Sequence, residues 1–142
     1  MKRAVAGMVT ALAIATLTAC SGDDPYCTTV QKNKSTLNSL GEKRTNAAYG
    51  SYARAFRSVA KVSPAAVKKD WTELAEVTAA VLNAQEKAGI KLEEMTDVTK
   101  VKKLNTQQLK TLNNAYEAFN KTTPQRRAVV KNVKQECEIT LS

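Results

Sequence analysis

From residue 25 onward the apolar side chains recur in steps of three and four, and no stretch alternates with the period of two that a half-buried strand requires. The longest seam is Val67, Trp71, Leu74, Thr78, Val81, Ala84 and Ala88, with Ala and Leu common between these positions and Gly89 closing the run. Side chains three or four apart share one side of an α-helix, so this spacing gathers all seven on one face. The chain is therefore expected to fold as an all-α domain.

Prolines, glycines and capping residues divide the pattern into about five helical segments. Asp24 before Pro25 reads as an N-cap followed by proline at the first helical position, opening a helix with Cys27, Val30, Leu37 and Leu40 on one side and Gly41 as its stop. From Thr45 or Asn46 a second helix carries Tyr49, Tyr52, Ala53, Phe56, Val59 and Ala60. Ser63-Pro64 ends it and opens the third, which holds the long seam. Residues 89–105 read as a connecting loop held to the core by Ile90, Leu92, Met95 and Val98. Asn105 then caps a helix bearing Leu109, Leu112, Tyr116 and Phe119. Thr122-Thr123-Pro124 opens the last helix, with Val130, Val133 and Cys137 on its apolar stripe and residues 139–142 as a short tail.

Upstream of this domain the composition changes. Met1-Lys2-Arg3 is a short positive start, Ala4 to Ala19 contains no charge, and the run ends in small residues before Cys20. That is the layout of a secretory signal, too short for the roughly 20 residues that span a bilayer. Leu17-Thr18-Ala19-Cys20 resembles the lipobox of bacterial lipoproteins, in which the cysteine takes a diacylglyceryl group and becomes the first residue of the mature chain. The resemblance implies a signal peptide over 1–19, a lipidated tether over 20–24 and a single domain over 25–142, anchored to the outer face of the bacterial cytoplasmic membrane. Acylation of Cys20 would leave Cys27 and Cys137, one near each end of the domain, free to form a disulfide in an oxidising compartment; two buried thiols are the alternative. A disulfide requires the first and last helices to share an end, which an up-down bundle provides with an even number of rods. The last two helices acting as one bent rod would give a four-helix-bundle-like fold; a long crossover at 89–105 would also serve.

Charge narrows the function. The net charge is +9, of which Lys2 and Arg3 supply two, and the rest is unevenly spread. Residues 28–69 and 100–134 are strongly basic, and 70–97 are acidic. Arg54, Arg57 and Lys61 on the second helix, and Arg127, Lys131 and Lys134 on the last, form stripes that could contact anionic lipid or an anionic envelope polymer. A solvated surface that keeps a monomer soluble is the plainer reading, and nucleic acid is disfavoured as a partner. The chain contains no histidine, so the usual general base, the Ser-His and Cys-His pairs and the commonest zinc and haem ligands are missing together. Asp70, Glu73 and Glu76, or Glu93, Glu94 and Asp97, match neither an EF-hand loop nor a buried acid pair. Tyr49, Tyr52, Phe56 and Trp71 read as core aromatics before they read as a base-stacking platform. No catalytic residue, metal site or cofactor is expected.

Tyr26-Cys27, Asp70-Trp71 with Leu74, Ala88-Gly89-Ile90 and Cys137, together with the lipobox, resemble a group of small actinobacterial lipoproteins of unknown function. The resemblance implies an acylated, exported helical domain with a terminal disulfide, and a non-enzymatic binding or interaction role in the cell envelope. A structural envelope protein working through its basic surface is the other expectation.

Overall fold

The computed structural model describes residues 24–142; the signal-like segment, Cys20 and most of the tether lie outside the described residues. Six helices follow in order: α1 Pro25–Asn38, α2 Asn46–Val62, α3 Ala65–Ala88, the single-turn α4 Val98–Val101, α5 Thr106–Asn120 and α6 Thr123–Cys137. A 3₁₀ turn, Leu92–Glu94, lies between α3 and α4, and no strand is found among the described residues.

Local chemistry sets most of the boundaries. The Asp24 carboxylate accepts hydrogen bonds from the Tyr26 and Cys27 amides at 2.7 and 3.3 Å, satisfying donors that the first turn leaves orphaned. Thr45 caps α2 through the Ala48 amide, and Asn105 and Gln108 form a reciprocal capping box at the start of α5. Gly89 ends α3 at φ 68°, a left-handed conformation that costs glycine little. The two Ser/Thr-Pro signals work differently from a forward cap. Ser63 donates back to the Ala60 carbonyl at 3.0 Å and Thr122 to the Phe119 carbonyl at 2.7 Å, so each hydroxyl finishes the preceding helix.

Helices α1 and α2 form one antiparallel pair, α2 turns tightly into α3, and α3 runs the length of the molecule. Lys121 and Thr122 alone separate α5 from α6, and the two are joined as one bent helix that returns along α3. The even number of rods expected from the sequence is present. The start of α1 and the end of α6 meet, with the Cys27 and Cys137 Cα atoms 5.2 Å apart and their sulfurs at disulfide distance, 2.05 Å.

The core is centred on α3. Trp71 is completely buried, with the Phe56 ring at 6.0 Å, and Val67, Leu74, Thr78, Val81, Ala84 and Ala88 are all buried as their seam requires. A polar chain crosses this core: the Trp71 indole N–H donates to the Tyr26 hydroxyl at 3.2 Å, which donates to Asn132 Oδ1 at 2.8 Å. It ties α3, α1 and α6 together, and burial raises the Tyr26 pKa above that of an ordinary tyrosine. Tyr26→Phe strands a buried N–H and should lower the unfolding free energy by about 1–3 kcal/mol, readable as a shifted urea midpoint. An unchanged midpoint would mean that water replaces the hydroxyl. A second, smaller cluster of Ala84, Ala88, Ile90 and Leu112 sits under Met95, Val101 and Leu104.

Four positions depart from the sequence pattern. Val129, not Val130, is buried in α6, because the bend resets the helical phase inherited from α5; Val130 is 37% exposed. Leu109 and Val98 are also exposed, since α5 buries Leu112 and Phe119 and the single turn of α4 has no second face to cover. The tail is part of the core. Glu138 takes a left-handed φ of 57°, the chain reverses, Leu141 is buried, and the Ser142 amide donates to Asn38 at 3.0 Å.

Candidate functional site

Helices α2 and α6 stand diagonally in the bundle, since each packs chiefly on α1 and α3. The two basic stripes read from the sequence therefore do not merge. Arg127, Lys131 and Lys134 lie exposed along α6, with Lys134 Nζ 3.2 Å from Thr140 Oγ1. On α2, Arg54 folds back to donate to Ser51 Oγ at 3.1 Å. Arg57 and Lys61 instead meet Lys68, Thr72 and Glu76 of α3 around an open groove of about 370 Å³. A neighbouring groove continues over Ala65, Lys68, Lys69, Thr72, Glu73 and Glu76.

Lys68 and Lys69 are the functional candidates that stripe-by-stripe reading missed. They fall on a different helix from Arg57 and Lys61, and only the tight turn at Ser63-Pro64 brings the four together. The turn is legible in the sequence, but its effect on charge emerges only where α2 and α3 lie side by side. The four cations are exposed, and the ion pairs found among the described residues, Lys100 with Glu94 and Lys121 with Glu117, lie elsewhere. The acidic side of the groove is graded: Glu73 and Glu76 lie further along α3 than Lys68 and Lys69, away from the turn.

The chain enters the domain at this same end. Asp24, Pro25 and Tyr26 share a surface hollow with Val62 and Pro64 of the α2–α3 turn and with Glu136 near the end of α6. Val62 is 38% exposed there. Helix α3 starts from Pro64 with no side-chain cap and no acidic residue in its first turn; the carboxylates sharing the hollow with Pro64 are Asp24 of the α1 cap and Glu136 of α6.

The other sequence candidates have structural duties. Tyr49, Tyr52 and Phe56 are buried, with Tyr49 packed on Phe119 at 5.3 Å, so they offer no stacking platform. Glu93 accepts the Asn46 amide at 2.9 Å while Asn46 Oδ1 accepts the Leu92 amide at 2.8 Å, a latch that holds the 89–105 segment to the start of α2. That hydrogen bond from Asn46 lowers the Glu93 pKa, and Lys100 does the same for Glu94. Asp97 caps α4 through the Thr99 and Lys100 amides. No group of three or more His, Cys, Asp or Glu side chains is placed to hold a metal among the described residues. Cys20 lies outside the described residues, and no helix within them is long and apolar enough to cross a membrane.

A smaller apolar hollow of about 80 Å³ lies between Leu37, Phe56, Trp71, Leu74, Val129 and the tail residue Leu141. It is well below the 300–1,000 Å³ or so of a small-molecule site, which makes it a packing gap and not a binding pocket. Compared with known protein families, curated proteins and solved structures, the chain gives no match.

Proposed function

We propose that this chain is a membrane-anchored extracytoplasmic lipoprotein, acylated at Cys20, whose helical domain serves as a non-enzymatic binding or interaction module of the cell envelope. The observation that carries the reading is the partition of the three cysteines. Cys27 and Cys137 lie at disulfide distance, which leaves Cys20 as the single unpaired cysteine, directly behind Leu17-Thr18-Ala19. A disulfide between chain ends suits an oxidising compartment outside the cytoplasm, and Asp24 follows Cys20 by four positions, so the domain would sit within about 15 Å of the bilayer.

Metabolic fatty-acid labelling of Cys20→Ala tests the anchor. The expected result is loss of metabolically incorporated fatty acid from the protein; unchanged incorporation in the variant would overturn the reading.

A second reading, a structural envelope protein working through its basic surface, is favoured by one feature of the domain. Its larger hollows are shallow and rimmed by charge, and its apolar hollow is small, so a contact surface fits the geometry better than an enclosed ligand.

A further inference from the structure

We infer that the end of the bundle formed by the α2–α3 turn is a headgroup-binding face for an anionic phospholipid bilayer. The inference rests on the reading of Cys20 as the anchor for its orientation, and on the fold for its chemistry. Lys61, Lys68 and Lys69 are exposed around one turn of chain, with Arg57 one helical turn behind Lys61. The half-exposed Val62 and the exposed Pro64, Ala65 and Ala66 stand between them. Cations flanking a small apolar tip suit the boundary between headgroup and acyl chain, where each Lys or Arg contributes attraction and the tip finds apolar contact.

The carboxylates near this face decide between partners. Glu136 lies at the end itself, the half-buried Asp70 follows Lys69 on α3, and the Asp24 carboxylate is occupied by the Tyr26 and Cys27 amides. Glu73 and Glu76 line the groove further along α3. A polyanionic chain laid along the groove would run into those two carboxylates, whereas a bilayer touches only the end where the lysines are. The entry of the chain at Asp24, in the same hollow as Val62 and Pro64, turns this end and no other toward a membrane holding Cys20.

The test uses full-length Cys20→Ala protein, so that no acyl chain contributes, with phosphatidylcholine vesicles made with and without phosphatidylglycerol. Binding is compared for the parent, for Lys61→Gln/Lys68→Gln/Lys69→Gln, and for Lys102→Gln/Lys103→Gln/Lys110→Gln, exposed at the far end of α3 around the start of α5, each checked for unchanged helical circular dichroism. The two triple variants lose the same charge, and the signal-like segment is common to all. At about fivefold per basic side chain at an anionic surface, the first triple should weaken binding to phosphatidylglycerol vesicles on the order of a hundredfold, and the far-end triple by much less. Equal losses in the two triples, or no preference of the parent for phosphatidylglycerol, would overturn the face. Binding to soluble poly(glycerol phosphate) with no binding to vesicles would overturn the bilayer in favour of a polymer. Because the protein is unacylated throughout, failure here leaves the Cys20 anchor standing, and failure of the anchor leaves this result standing.

Discussion

Replacing both Cys27 and Cys137 with alanine should lower the unfolding free energy by about 5 kcal/mol, the loop-closure entropy expected for a link across 110 residues. A domain of this size has roughly 5–15 kcal/mol in total, so the double variant should be largely unfolded at physiological temperature or within reach of mild denaturant. The double substitution is the correct comparison because a single one leaves a thiol free to cross-link. The reason for so large an effect is topological. The bent α5–α6 rod reaches the start of α1 only at its far end, so the crosslink joins elements that the chain otherwise connects through every other helix. Far-ultraviolet circular dichroism against guanidinium would show the shift, and a double variant as stable as the parent would mean that packing of α6 on α1 and α3 already fixes the ends.

Trp71→Ala should cost about 3–5 kcal/mol, the range for deleting a buried tryptophan. Trp71 is wholly enclosed at the crossing of α1, α2, α3 and α6, with Phe56 at 6.0 Å and its N–H on Tyr26. The adjoining hollow of about 80 Å³ would enlarge, and its walls, which include the Leu141 tail, would lose contacts instead of closing over the gap. Trp71→Phe keeps much of the ring and should fall between the parent and the alanine variant. Chemical denaturation of the three proteins orders them; equal midpoints for alanine and phenylalanine would place the cost in the lost hydrogen bond and not in the cavity.

The parts of this fold that were legible in the sequence are those set by neighbours within one or two turns. Asp24-Pro25, Thr45, Gly89 and Asn105 act through amides or carbonyls a few residues away, and the α3 seam needs no knowledge of its partners. Where several elements compete, the pattern was insufficient. Val129 and Val130 are adjacent apolar residues, and the bend at Lys121-Thr122 decides which faces inward. Leu141 lies beyond the last helix with no period to mark it, and it is buried because Leu37, Phe56 and Trp71 leave room there. The basic stripes were legible helix by helix, but a surface is a property of neighbouring helices. Lys68 and Lys69 join Arg57 and Lys61 across a turn, while Arg127, Lys131 and Lys134 sit on the diagonal helix. Carboxylates in the 89–105 segment gave no sign in the sequence of latching it to α2, because Asn46, the other half of the latch, is 47 residues from Glu93.

An acylated Cys20 beside a disulfide-closed helical domain is tested most directly by the intact mass of the protein extracted from bacterial membranes, followed by non-reducing peptide mapping. The expected chain begins at Cys20, carries lipid on that residue, lacks residues 1–19, and yields a peptide pair linking Cys27 to Cys137. A chain that retains Met1 to Ala19 with an unmodified Cys20 would contradict it.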